Sequence, residues 1–327
     1  MNLHTDLKLF RQAIQYTSDQ MQIPAIYVEK DYWVTFALYT IVKAPIGKET
    51  IFKGGTALSK CYKLIERFSE DIDLVVVRNA GETDSKLKSK LNEISNSISN
   101  DLPEVAIEGL TRKMGMNRKT AHSYNKLFSG QYGQVRDILI LESSWLGYYE
   151  PFSKKSIISF IGETLEKNQQ NETVQNYGLK SFEINVLEPS RTICEKIMSL
   201  VRFSYTESPI QDLKNKIRHT YDIYQLLQQP EFKDFVASEE FTEMLIKVAN
   251  DDVISFRNNN VWLTIHPNES LFFKEIEELW KSDLMEVYTV DFKNLVYGEL
   301  PKEKDVLENL KYVRDRMTKI KWDIKVK

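Results

Sequence analysis

The chain is short of the residues that specialised chemistry most often uses. Its two cysteines, Cys61 and Cys194, lie far apart, which excludes a disulfide framework and points to two reduced thiols. The four histidines, His4, His122, His219 and His266, are scattered with no zinc-ligand spacing. His219 reads as a packing or supporting residue. No serine–histidine or cysteine–histidine arrangement supports nucleophilic hydrolysis, and the Walker A spacing is missing. No apolar run approaches the length of a membrane span, and the first twelve residues hold no apolar signal segment. The expectation is a cytoplasmic protein. Neither charge dominates: 44 Lys and Arg against 47 Asp and Glu leave a net charge of −3. A general nucleic-acid coat would carry a basic surplus, so any RNA contact has to come from local patches.

What is present is enough for a substantial core. The 327 residues are 42% hydrophobic and 28% charged, an ordinary globular balance for about two domains. Apolar spacing predicts two helices in the first 45 residues, the second opened by Pro24. Residues 50–78 then read strand, glycine turn, helix (56–65) and strand (71–77). An exposed helix is expected over 85–100, strands with a loop over 105–127, a strand over 137–142 and a loop over 167–176. From Pro189 the pattern is helical, with runs near 189–203, 211–228, 239–250, 270–281 and 302–321. The expected organisation is an α/β (α+β) core with its N-terminal helices over residues 1–185 and a mainly helical domain over 186–327.

The strongest chemical signal is Gly54-Gly55-Thr56 followed by Asp71-Ile72-Asp73. Residues i and i+2 of a strand share a face, so the two carboxylates sit side by side. They repel unless a cation lies between them, and a hard ion such as Mg²⁺ suits one or two carboxylates plus phosphate oxygens. The glycine pair lets the backbone approach an anion closely. Each half is common by itself; together, with a strand on either side and one short helix between, they are specific.

The segment FKGGTALSKCYKLIERFSEDIDLVV (residues 52–76) resembles the signature of the AbiEii-type nucleotidyltransferase toxins, within the polymerase-β-like nucleotidyltransferase superfamily. SRTICEKIMSL (190–200) resembles the family's second motif, which implies that Lys196 reaches the triphosphate. IRHTYDIYQLL (217–227) resembles the third and implies a functional Asp222, either orienting Lys196 or acting as a base; the sequence leaves that choice open. The resemblance also implies a third carboxylate on a later strand, here Glu142. VEKDYWVTFALYTI (28–41) is similar to the segment before the family core, with Lys30 and Asp31 as braces and Tyr32, Trp33 and Phe36 as core. The implied fold is a polymerase-β-like core with a mixed sheet. The implied activity is Mg²⁺-dependent transfer of a nucleotide from an NTP, using one or two ions on Asp71, Asp73 and Glu142. Gly54, Gly55, Thr56 and Lys196 would bind the nucleotide.

The resemblance further implies a toxin of a toxin–antitoxin or abortive phage-infection system, with an antitoxin partner and, as in some relatives, the tRNA 3′ end as acceptor. Three local patches support RNA: Arg112, Lys113, Arg118 and Lys119 near Tyr124; Lys60, Lys63 and Arg67; and a tail of Lys319, Lys321, Lys325 and Lys327. The alternatives are a small-molecule or protein hydroxyl as acceptor, or a non-catalytic protein that binds nucleotide or a partner.

Overall fold

Among the described residues, seven strands make one mixed sheet: β1 (Thr50–Lys53), β2 (Asp71–Val76), β3 (Glu104–Val105), β4 (Asn117–His122), β5 (Leu139–Ser144), β6 (Phe152–Ile157) and β7 (Phe182–Leu187). Their order is β3-β4-β5-β2-β1-β7-β6 in a computed structural model that describes residues 1–69, 71–113, 115–130 and 136–326. Strand β2 is central. Ile72, Leu74, Val75 and Val76 are buried while Asp71 and Asp73 stay partly exposed. It pairs antiparallel with β1 and parallel with β5. A parallel neighbour requires a crossover, and the chain between β2 and β5 includes α4 (Asp84–Ile98). Leu87, Leu91, Ile94 and Ile98 form the buried stripe of that helix, whose first turn is capped by the Thr83 side chain.

Helices α1 (Leu7–Met21) and α2 (Ala25–Lys43) precede the sheet, and the short α3 (Gly54–Lys60) lies between β1 and β2. Helix α2 is buried on all sides from Val28 to Leu38, as expected of a central helix rather than a surface one. It buries three consecutive ionisable residues, each given partners. Glu29 accepts from the amides of Leu127 (2.7 Å) and Phe128 (3.1 Å). Lys30 donates to the carbonyls of Arg136 and Ile138. Asp31 pairs with Lys60 and accepts from the Phe160 amide at 2.7 Å. Buried charges persist only when satisfied in this way.

The chain divides into two units. The first comprises 1–63, 68–145 and 152–186; the second comprises 64–67, 146–151 and 187–327. The first unit adds α5 (Phe160–Lys167) and α6 (Asn171–Asn176) to the sheet. The second holds α7 (Pro189–Phe203), α8 (Pro209–Asn215), α9 (Ile217–Leu227), α10 (Pro230–Ala237), α11 (Glu239–Ser255), α12 (Leu271–Lys274), α13 (Ile276–Leu279) and α14 (Glu303–Met317). Two short excursions join it for visible reasons. Glu66 donates its amide to the Tyr221 hydroxyl and accepts from the amides of Tyr297 and Gly298. Pro151 accepts from the Glu188 amide.

The structure differs from the sequence-based expectation in several elements. A helix occupies 171–176 where a loop was expected, and the helix expected over 56–65 ends at Lys60. The run 211–228 is broken at Lys216 into α8 and α9. The run 270–281 is a pair of short helices leading into a π-helical turn at Trp280–Leu284. Strand β6 was not foreseen, because as an edge strand it exposes polar Lys154 and Ser156 and lacks an apolar pattern. Lys327, expected in the basic tail, lies outside the described residues.

Candidate active site

The turn from β1 into α3 is shaped by one glycine. Gly54 has φ +81°, and a Cβ built on it would collide with the Asp73 carboxylate. Only glycine satisfies both the left-handed backbone and the close approach. Thr56 is buried, and its hydroxyl lies 2.6 Å from the Asp71 carbonyl and 2.9 Å from Ser69 Oγ. It therefore ties the start of α3 to the start of β2.

Strand register then sets a row of charges across the sheet. Lys53 on β1 stands opposite Asp73 on β2, Asp73 opposite Glu142 on β5, and Glu142 opposite Lys119 on β4. Directly opposed residues share a face, so two carboxylates lie between two lysines. Asp71 stands one step along on the same face, and Arg136 Nη1 approaches its Oδ1 at 3.4 Å. Glu142 is held on both oxygens, by Asn117 Nδ2 at 3.1 Å and by Lys119 Nζ at 3.1 Å. Burial acts against its ionised form, but Lys119 and Asn117 win and its carboxyl titrates below its ordinary value. Asp73 goes the other way. Burial, then the charges of Glu142 and Asp71, push it up to about 7 against the partial relief given by Lys53 and Lys119.

These residues fit a hard divalent ion in part. Asp71 and Asp73 offer oxygen ligands on one face, and the mutual repulsion around Asp73 is what a cation relieves. Among the described residues, no three His, Cys, Asp or Glu side chains gather as a metal-holding group.

In the second unit, Asp222 on α9 is fully buried and receives two cations. Arg67 grips it in bidentate fashion, Nε to Oδ1 at 2.6 Å and Nη2 to Oδ2 at 2.7 Å, and Lys196 Nζ meets Oδ2 at 2.6 Å. Burial would raise this carboxyl, but the charges of Arg67 and Lys196 hold it far below the usual carboxylate range. Burial lowers Lys196, with Asp222 opposing and Arg67 adding to the fall. An anion clamped on both oxygens is a poor proton acceptor, so of the two roles left open for Asp222 the geometry favours orienting Lys196. His219 is held well below its ordinary value by burial and then by Lys196 and Lys216, and its buried Nδ1 has no hydrogen-bond partner among the described residues.

Several residues behave differently from their sequence reading. Arg191, at the start of the segment 190–200, is buried and spent on Glu195 (3.2 Å), Asp251 (2.6 Å) and the Glu150 carbonyl (3.3 Å). Arg67 and Lys60, assigned to a basic patch, are buried against Asp222 and Asp31. Lys113 and Arg118 share Glu104. Tyr124 is buried beside Trp33. Lys53 and Lys119 had no role in the sequence reading as parts of a carboxylate row. The cue was available only through register, because both lie on strands whose pairing the sequence does not state.

The mixed sheet with its helices is an α/β fold. The family described as nucleotidyl transferase AbiEii toxin, type IV toxin–antitoxin system, matches residues 37–309, and the chain belongs to that family. It is similar to the solved structure of MenT4, a nucleotidyltransferase toxin from Mycobacterium tuberculosis, with a TM-score of 0.58 and 14% identity over 94% of this chain and 90% of that one. At that identity the likeness shows the fold alone. Comparison with curated proteins found no match. Membership implies an NTP substrate and an antitoxin partner. Among the described residues no helix is long and apolar enough to cross a membrane.

Proposed function

We propose that this chain is a toxin enzyme that moves a nucleoside monophosphate from an NTP to an RNA hydroxyl, with the tRNA 3′ end as acceptor. The observation that carries the reading is the Asp71–Asp73 pair: two carboxylates on one strand face, one of them pressed against the backbone of Gly54 and repelled by its neighbours. Asp71 and Asp73 would hold Mg²⁺, which when bound supplies charge neutralisation at the transferring phosphoryl group. Gly54 and Gly55 leave backbone uncovered for the triphosphate, and Thr56 fixes that turn against β2. Lys196, aimed by Asp222, is the cation we assign to the triphosphate, and Arg67 keeps Asp222 ionised. The exposed lysines of the tail, Lys319, Lys321 and Lys325, support an RNA acceptor. The setting is the cytoplasm, where NTPs and tRNA occur, and the biological role is phage defence by abortive infection.

A second reading, with a small molecule or a protein hydroxyl as acceptor, is favoured by one observation: Lys60, Arg67, Lys113 and Lys119 are paired with carboxylates of this chain. One experiment separates the two. Purified protein is incubated with Mg²⁺, each α-³²P-labelled NTP and total tRNA. Label on tRNA, absent with Asp71→Ala, is the expected result. Label on protein or small molecules alone selects the second reading, and transfer to nothing removes the enzymatic one.

A further inference from the structure

We propose that the carboxylate row is built for a single divalent ion, and that the Lys119 ammonium, locked to Glu142, takes the place of a second. This rests on the reading of Asp71 and Asp73 as the metal pair.

Two-metal phosphoryl-transfer sites place their ions about 3.5–4 Å apart and need enough carboxylate to hold both against mutual repulsion. Here the third carboxylate is already committed. Glu142 accepts from Asn117 on one oxygen and pairs with Lys119 on the other, both at 3.1 Å. Asn117 and Lys119 are two residues apart on β4 and so point to one face. Lys119 is also the registered partner of Glu142. The grip is therefore set by strand pairing rather than by a chance surface encounter. The side chains are 27% and 35% exposed, which leaves their attraction less screened than that of a pair in open water.

With Glu142 matched by Lys119, Asp71 and Asp73 remain as the carboxylates of the row open to a divalent ion, and Lys53, in register with Asp73, is a further positive charge that disfavours a second ion. The Arg136 contact to Asp71, at 3.4 Å, is long for a charge-assisted hydrogen bond and leaves that carboxylate able to turn to a metal. For Glu142 to bind a second ion it would have to give up both donors. Lys119 is thus a positioning residue: it fixes Glu142 beside Asp73 and supplies a permanent positive charge at that end of the row.

Mn²⁺ tests this, because two adjacent Mn²⁺ ions give an exchange-coupled electron paramagnetic resonance spectrum and a lone ion does not. Protein is dialysed against Mn²⁺ with each α,β-methylene nucleoside triphosphate in turn, and bound ions are counted and their spectrum recorded. The expected wild-type result is one bound ion with an uncoupled spectrum. Lys119→Met, at a partly exposed strand position where folding is checked by circular dichroism, should admit a second ion and show coupling. Glu142→Gln should still bind one. A coupled wild-type spectrum, an uncoupled Lys119→Met spectrum, or loss of the ion in Glu142→Gln each overturns the proposal. No bound Mn²⁺ in the wild type withdraws the reading of Asp71 and Asp73 as the metal pair, and this inference with it.

Discussion

Asp73 on the sheet, partly exposed, and Asp222 on α9, fully buried, are treated by the structure in opposite ways. Asp222 has more positive partners than it needs: Arg67 takes both of its oxygens and Lys196 adds a third contact. Asp73 has too few, since its nearest charges include Glu142 and Asp71, and its carboxyl is pushed up to about 7. Moving a carboxyl from 3.8 to about 7 disfavours the anion by roughly 4 kcal/mol. A fold keeps such a defect where a ligand completes the site, and it resolves one where a side chain must be held still. The difference separates chemistry from positioning, and each substitution below bears on it.

The largest effect belongs to the unresolved pair. Asp71→Asn and Asp73→Asn should each lower nucleotidyl transfer by about 10³-fold or more, as expected when transition-state charge loses its support, while far-ultraviolet circular dichroism stays unchanged. Near-normal transfer by either purified variant would break the comparison at its first term.

Asp222→Ala comes next, and its readout is stability. Removing the carboxylate strands Arg67 and Lys196 in a buried site, a class of change that costs about 3–5 kcal/mol. Urea unfolding at pH 7 measures it, and a loss below about 1 kcal/mol would mean that the clamp is not part of the core. The pH dependence follows from sign. The folded-state value of Asp222 is depressed, so its contribution is present above the unfolded carboxylate range and is lost as pH falls below about 4.

Asp73 has the reverse sign. Its folded-state value is raised, so the stability it lends to the metal-free protein is full below about 3.8 and is lost as pH rises through about 7. Asp73→Asn removes that loss. In chelator, thermal melts should show the variant gaining roughly 1–3 kcal/mol on wild type between pH 5 and pH 8. An equal difference at both pH values would show that Asp73 titrates normally.

How much of this was legible in the sequence follows the same division. The pairing of Asp71 with Asp73, the glycine turn and the strand–helix–strand frame follow from local periodicity, which a linear sequence carries. The family match over residues 37–309 agrees with the resemblance drawn from residues 52–76, 190–200 and 217–227. The partners of those residues were not legible. Arg67 meets Asp222 across 155 positions, and Lys53 and Lys119 join the carboxylate row only through strand register. The sequence also shows Lys60, Arg67 and Lys113 as a surplus of positive charge, since it gives no sign of the Asp31, Asp222 and Glu104 that match them.

The smallest effect tests whether burial, and not pairing alone, makes the clamp matter. Lys63 and Glu163 lie 3.0 Å apart, a geometry close to that of Lys196 and Asp222 at 2.6 Å, but their side chains are 53% and 31% exposed against 7% and 0%. In water the Coulomb gain is screened and two long side chains must be held in one geometry, so such pairs contribute about 0–1 kcal/mol. Lys63→Ala should therefore shift the urea midpoint by less than about 0.5 kcal/mol in free energy, and 0.5 M NaCl should remove even that. If Lys63→Ala destabilised the chain as much as Asp222→Ala, pairing itself would be stabilising wherever it occurs. The contrast between Asp73 and Asp222 would then reflect a count of partners and not the medium around them.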